Sequence, residues 1–393
     1  MAKNDNKKVI TKENWVSNFT LVGTPKINDY TFKIDEKSEK SNWIYNSMNL
    51  GVDCGEKHGV VYAEFMGGYS AEGQNVIYAH GKNDDGSDDF ASQITVDWDD
   101  RFDDEILETI GDLSFITVGL EKTDKGKTYY KKFLSAYDAI AYIKDHLEED
   151  MVVNVKGNLK YSTYQDKTQV RKNITSIVLS KADDASKYYA KFTQTILINK
   201  DSASLKNIDK DKGVMYVDAR VLDYLKEYNG IEVKGQFPYN KQFEFPMDFS
   251  NEAQCKKVME KVFKVKKNVT QMTFEGDLIE GGAVVTATWD DLPQDIKDLV
   301  ECGVYEEEEA LARCSSNGSR EQRMVLKKPM VRLVGDDKTP VLQKFEEKYT
   351  EDELVLDYLY ANNDNDADEE ESDNENVTES SDVGGDMDWL KNL

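Results

Sequence analysis

Lysine and tyrosine interleave densely in one stretch of this sequence. Lys122, Lys125, Lys127, Tyr129, Tyr130, Lys131 and Lys132 surround the turn residues Asp124, Lys125 and Gly126. Ammonium groups can neutralise a row of phosphates. Each phenol ring offers a face on which a base can stack, worth roughly 1–3 kcal/mol per base. The competing reading is a solvated surface hairpin. A second set comprises Lys156, Lys160, Tyr161, Tyr164, Lys167, Arg171 and Lys172. Strand alternation puts Lys156 and Lys160 on one face and Val155, Leu159 and Tyr161 on the other, so Tyr161 reads as core and Tyr164 as the better stacker. Trp43, Tyr45, Phe65 and Tyr69 form a third aromatic group. Lys234, Phe237, Tyr239, Lys241 and Phe243 form a fourth, mixed group. Arg313, Arg320, Arg323, Lys327 and Lys328 form a basic stretch beside Asn317 and Gly318.

Other chemistry is sparse. Between Asp84 and Glu105 stand ten acids and one base, Arg101. Several carboxylates could hold a hard divalent cation, and two such ions could cut a phosphodiester. No EF-hand spacing is present, and a solvated acidic insertion accounts for the same residues. His58, His80 and His146 have no partner motif. Phosphate-loop and nucleophile-elbow patterns are absent. Cys54, Cys255, Cys302 and Cys314 are scattered, with no Cys-x-x-Cys pair, which reads as reduced thiols. No catalytic residue, metal or cofactor is expected.

The elements that must position these residues are mostly strands. Alternation predicts strands over 18–23, 30–34, 43–48, 60–66, 76–80, 93–98 and 115–120. A helix follows, with Ser135 as its cap and Ala136, Ile140, Ile143 and Leu147 on one apolar face. A shorter helix is expected over 103–110. Two long strands, 151–161 and 168–179, then meet at the turn Tyr164-Gln165-Asp166-Lys167. The second half repeats the order. Strand-like segments at 192–199, 213–222, 231–237 and 243–245 precede a helix over 250–263, a strand over 272–278, a turn at Gly281-Gly282 and a strand over 284–287. Val153-Asn154-Val155-Lys156-Gly157-Asn158-Leu159 aligns with Met272-Thr273-Phe274-Glu275-Gly276-Asp277-Leu278, 119 residues later. Such a repeat points to duplicated architecture. A further helix is expected over 342–349 or 351–360.

Three strands, a helix and two strands is the order of the OB-fold, a five-stranded Greek-key barrel. The Val153–Leu159 strand, the Tyr164-Gln165-Asp166-Lys167 turn and the 169–179 strand resemble single-stranded DNA-binding proteins of the bacteriophage type. The C-terminus resembles theirs too. The last 32 residues, from Asn362, hold twelve acids and one lysine and end in Met387, Trp389, Leu390 and Leu393. The sequence departs from the family in about 60 residues at 68–134 that a minimal barrel does not need, and in its final Leu390-Lys391-Asn392-Leu393.

The resemblance implies a mainly β chain of tandem OB-fold domains, each with one helix, and a disordered acidic tail. The expected boundaries are an arm at 1–14, a first domain at 15–181 with an insertion at about 68–134, a linker at 182–190, a second domain at 191–335, a connecting segment at 336–361 and the tail at 362–393. Single-stranded DNA is the expected ligand. Its expected contacts are the seven residues from Lys122 to Lys132, together with Lys156, Lys160, Tyr164, Lys167, Arg171, Lys172, Trp43 and Tyr45. Trp389, Leu390 and Leu393 would dock a polymerase, helicase or primase. A homo-oligomer is compatible with this reading. The alternative is a replisome adaptor whose barrels bind proteins rather than DNA.

Composition sets limits on these readings. The chain has 393 residues, a net charge of -26 and 39% hydrophobic residues. A globally basic nucleic-acid binder is excluded; only a local concentration of lysine could serve. The polar N-terminus lacks a signal-peptide core, and no apolar run approaches a membrane span. The expected location is the cytoplasm, that of a bacterial host for a phage protein.

Overall fold

A computed structural model describes residues 10–164, 167–228, 230–281, 322–336 and 338–355, together with positions 289, 294, 297, 300 and 302. The first half begins with β1 (Ser17–Lys26), β2 (Phe32–Lys37), β3 (Trp43–Asp53) and β4 (Val60–Ser70). Then come the hairpin β5 (Val76–Lys82) and β6 (Asp88–Asp97), the short helix α1 (Asp104–Thr109), and the hairpin β7 (Ile116–Lys122) and β8 (Thr128–Phe133). Helix α2 (Ala136–His146), β9 (Val153–Tyr164) and β10 (Lys167–Leu179) complete it. Alternation decides the faces. Along β9, Val153, Val155, Gly157, Leu159 and Tyr161 are buried, while Lys156, Asn158 and Lys160 are exposed.

Five of these strands close on themselves. Antiparallel pairs join β1 to β3 and β9, β3 to β4, and β9 to β10. The circuit closes where β4 and β10 run parallel, Glu64 opposite Asn173. This is the strand order of the OB barrel. Helix α2 starts as its sequence implies: the Ser135 hydroxyl accepts the Tyr137 N–H, and Ala139, Ile140 and Ile143 are buried.

The second half builds the same circuit from β11 (Tyr189–Ile198), β13 (Val214–Tyr228), β14 (Ile231–Pro246), β15 (Val269–Glu280) and β16 (Gln322–Pro329), with β12 (Ala203–Asp209) paired outside β13. Strand β11 pairs with β13 and β15, β13 with β14, and β15 with β16. Strands β14 and β16 are parallel at Glu244 and Val325. Helix α3 (Glu252–Val258) and the π-helical turn Met259–Phe263 stand where α2 stands in the first barrel. The chain is thus mainly β and built on two OB barrels, each with a helix before its fourth strand.

The repeat seen in the sequence has a physical cause. Phe19 of β1 lies opposite Gly157, and Phe192 of β11 lies opposite Gly276. A Cβ at Gly157 would lie 1.9 Å from the Asn173 carbonyl oxygen and 2.7 Å from the Phe19 ring. At Gly276 it would lie 2.4 Å from the Phe192 ring and 2.5 Å from the Val325 carbonyl oxygen. A bulge sits beside each glycine, at Ile174–Ser176 and at Glu275–Gly276. Each barrel therefore bends where a glycine admits a phenylalanine.

Several segments differ from the sequence expectation. Tyr189 and Ala190, expected in a linker, belong to β11. There they pair with Val22 and Leu21 of β1. After the hairpin β17 (Val331–Val334) and β18 (Thr339–Leu342), the stretch read as a helix over 342–349 forms β19 (Lys344–Tyr349), which pairs with β15. A strand wins because the edge of β15 offers unpaired backbone groups that a surface helix would leave unused. Of the alternative helix expected over 351–360, Glu351–Leu354 is helical, and 356–360 lie outside the described residues. The expected strand over 284–287 and the tail from 362 lie outside the described residues.

Strands β1 and β11 pair antiparallel from Ser17–Gln194 to Val22–Tyr189, placing Phe19 opposite Phe192, so one sheet runs through both barrels. Side chains reinforce the joint. The Tyr161 hydroxyl and the Ser17 hydroxyl both donate to Gln194 Oε1, at 2.9 and 2.8 Å. The Tyr161 N–H donates to Asp223 Oδ2 at 2.9 Å. Buried His58 lies with Nδ1 2.8 Å from the Leu278 carbonyl oxygen. Burial pushes its imidazole below the ordinary pKa, partly offset by that contact.

Replacing Gly157 or Gly276 by Ala is expected to destabilise the fold by about 1–3 kcal/mol, because a well-packed site must spread to admit a methyl group. Chemical denaturation of the full chain would measure it. Loss at both positions follows from the phenylalanine ring and carbonyl oxygen that crowd each one.

Candidate single-strand interface

The richest lysine–tyrosine segment forms the β7–β8 hairpin. Its turn is closed by Gly126 N–H donating to the Thr123 carbonyl, with Gly126 at φ +73°. Strand β7 runs parallel to β10, Thr117–Gly119 beside Ser176–Val178, which anchors the finger to the first barrel. Tyr129 and Tyr130 are 50% and 58% exposed, a condition for stacking. Alternation sends them to opposite faces. Tyr130 lies across Gly119, where a Cβ would approach its ring to 3.0 Å. On the other face Lys131 sits 4.6 Å from the centre of the Tyr142 ring. Lys132 pairs with Asp112 at 2.9 Å. Lys122, Lys125 and Lys127 are exposed around the turn.

Trp43 and Tyr45 are half-buried neighbours on β3, their rings stacked at 5.0 Å and 17°. They lie opposite Ser70 and Gly68 of β4. Because β4, β10 and β7 all run in one direction, this pair and the finger lie toward the same end of the first barrel. Tyr164 and Lys167 lie at the opposite end of β10, about 40 Å away at ~3.3 Å per residue. Tyr164 and Lys167 are exposed, as is Arg171, which stands 3.5 Å from Glu64. Burial raises the Glu64 pKa, and Arg171 with Lys172 pulls it back. Lys156 is exposed, and Lys160 reaches to 3.7 Å from Asp223. Along β9 and β10 the exposed basic residues are spaced out between the two ends, with Lys167 opposite Tyr164, Arg171 opposite Lys160, and Lys156 opposite Ser176 beside the β7 joint.

Lys172 does not belong with them. Its side chain is 4% exposed and pairs with Glu280, 2% exposed, across the joint between barrels. Strand parity places it with buried Ile174, so it locks the barrels instead of meeting a ligand. Phe65, Phe237, Tyr239 and Phe243 are likewise core. Tyr69 packs edge-on to Tyr137 and near Trp98. Arg323 clamps Glu244 at 2.6 Å, in the place that the Arg171–Glu64 pair holds in the first barrel. Arg313, Arg320, Trp389, Leu390 and Leu393 lie outside the described residues.

Part of the acidic stretch is spent on turns and a helix cap. Asp103 accepts the Glu105 and Ile106 N–H groups at the start of α1, Asp88 accepts the Leu113 N–H, and Asp85 accepts from Ser87. Among the described residues no three of His, Cys, Asp and Glu converge as a metal set. Arg101 binds Asp138 at 2.8 Å and lies 4.2 Å from the Trp98 ring, tying the insertion to α2. The insertion has its own small core of Ala79, Val96, Ile110, Phe115 and Leu134.

Tyr30 was missed in the sequence. It is 74% exposed because Asn28 Oδ1 accepts its N–H in a turn that ends before β2. Exposed Lys33 and Lys37 follow on β2, beside the strand that carries Trp43 and Tyr45. The Asn28-Asp29 pair was the available turn signal.

A family model described as YorF matches residues 84–278. No curated protein sequence matches the chain. Among solved structures, the wild-type single-stranded DNA binding protein from Thermus aquaticus is similar with a TM-score of 0.31 and 9% identity, covering 81% of this chain and 93% of that one. A deletion mutant of the same Thermus aquaticus protein gives a TM-score of 0.32 and 9% identity, covering 80% of this chain and 94% of that one.

Lys172→Met should lower stability by about 3–5 kcal/mol, because Glu280 is left buried without its counter-charge. Tyr129→Ala and Tyr130→Ala should each stay within about 0.5 kcal/mol of the parent, as exposed positions do. Parallel denaturation curves would measure the contrast.

Proposed function

We propose that the chain binds single-stranded DNA without sequence preference and without a catalytic step. The observation that carries this is the finger: two exposed tyrosines among five lysines on a hairpin anchored to an OB barrel. Lysines engage phosphates while tyrosine faces stack bases, and neither interaction reads sequence. The Trp43–Tyr45 pair extends the stacking surface at the same end, and exposed Tyr30 stands farther along β3, beside Asn49. Tyr164, Lys167 and Arg171 give the strand a second foothold. The setting we propose is phage DNA replication or recombination in a bacterial cytoplasm. The twelve-acid tail competes with DNA for the lysines, and Trp389, Leu390 and Leu393 dock a polymerase, helicase or primase.

Titration with oligo(dT) at several salt concentrations tests the reading. The log–log slope should be about -0.7 per phosphate contact, because each contact releases counterion. Replacing Lys125, Lys127 and Lys131 by Ala should flatten the slope. Replacing Tyr129 and Tyr130 should weaken binding by roughly 1–3 kcal/mol per stacked base with the slope unchanged. A flat salt response contradicts DNA binding and favours a protein adaptor, whereas equal affinity for duplex contradicts the preference for single strands.

The tail makes a separate prediction. Removing residues 362–393 should tighten oligo(dT) binding most at low salt, where charge competition is least screened. Removing only 389–393 should leave DNA affinity unchanged while abolishing capture of purified polymerase, helicase or primase. Unchanged DNA affinity after the long deletion contradicts competition; capture retained after the short one contradicts docking.

A further inference from the structure

The two barrels differ at one end. In the first, Val52 and Val61 face each other across β3 and β4, both fully buried. The strand joints fix their counterparts: β3 meets β1 at Asp53 and Thr24, and β13 meets β11 at Arg220 and Leu197. One residue before Arg220 stands Ala219, and opposite it on β14 stands Lys241. A small residue and a lysine therefore occupy positions filled by two valines in the first barrel.

The result is a cleft of about 480 Å³ lined by Asn199, Ser202, Arg220, Asn240, Lys241 and Gln242, among others. Burial pushes the Lys241 pKa down, and Lys172 adds to it. No carboxylate pairs with Lys241 among the described residues. Asp218, also in the cleft, is taken by Gln242 at 2.8 Å and Asn207 at 3.3 Å. Placing an unpaired ammonium where a valine would pack is costly unless an anion completes it.

Besides Asp201 and Asp218 in its lining, the cleft is approached by a third carboxylate. Glu351, from the helical turn after β19, accepts from Arg220 Nη1 at 2.6 Å and Asn199 Nδ2 at 2.8 Å. Burial opposes its charge, but these two donors outweigh it and hold its pKa below the ordinary value. An oxyanion thus fits one side of the cleft, and Lys241 waits on the other.

We propose that this cleft in the second barrel is a phosphate-binding site. Lys241 contacts the phosphate oxygens, with Asn199 and Arg220 joining when Glu351 withdraws. The phosphate belongs either to a free nucleotide or to the backbone of a nucleic-acid strand. The site stands apart from the finger and does not depend on strand binding there.

The test is thermal unfolding of the full chain with increasing inorganic phosphate, and separately with oligo(dT), in wild type and Lys241→Val. The variant restores the residue that the first barrel uses, so it should fold and unfold at a higher temperature than wild type without ligand. A ligand bound only by the native state raises the midpoint. General salt effects of phosphate act on both proteins and cancel in the difference. Wild type should gain a phosphate-dependent rise that the variant lacks. A rise with inorganic phosphate identifies a free phosphate ligand; a Lys241-dependent rise with oligo(dT) alone identifies a strand. Glu351→Gln should bind about tenfold tighter, as loss of one competing charge-assisted bond implies. Equal responses of wild type and Lys241→Val to both ligands overturn the site. An unchanged affinity in Glu351→Gln overturns the role of Glu351 as the competing anion.

Discussion

The structure depends on one close approach made twice. Phe19 rests on Gly157 and Phe192 on Gly276, and the two phenylalanines then face each other where β1 pairs with β11. Only glycine leaves room for the ring beneath it, and the neighbouring bulge turns the strand so that five strands can close. The strands that close the barrels, β1 and β11, are also the strands that join them. The buried Lys172–Glu280 pair and the His58–Leu278 contact then fix the angle between the halves.

That union explains how charge is distributed. A chain at -26 can meet a polyanion only where lysines are held away from its acids. The finger does this at its turn, where Lys122, Lys125 and Lys127 are exposed, while Asp85, Asp88 and Asp103 are drawn into turns and a helix cap within the insertion. In the second barrel the face equivalent to Lys156 and Lys160 carries Glu275 and Ile279, and Asp277 between them is covered by Lys57 from the first barrel at 2.6 Å. The duplicated strand is therefore not a duplicated binding surface. What the second barrel offers instead is an opened end.

Much of the fold was legible because local signals agreed. Ser135 and the apolar spacing after it specified α2, and the strict alternation of 153–161 specified both faces of β9. The repeated Gly-x-Leu pattern announced the second barrel. The finger was legible because Asp124-Lys125-Gly126 is a turn between alternating segments. Lys172 was misplaced although its parity with Ile174 pointed inward, because a lysine is rarely buried without a partner and Glu280 lies more than a hundred residues away. The strand at 344–349 was read as a helix because its charges are compatible with either, and only the edge of β15 decides. Tyr30 was assigned to a strand when Asn28 holds it in a turn. In each case the deciding partner is distant in sequence or is a single local hydrogen bond.

Hydrogen exchange of the full chain with and without oligo(dT) tests the central claim most directly, since it reads where a strand lies without altering any residue. Slowed exchange is expected in the β7–β8 finger and around Trp43–Tyr45, with little change in the buried β1–β11 joint, which is already protected. Protection confined to the second barrel, or none in the finger at saturating oligonucleotide, would contradict it.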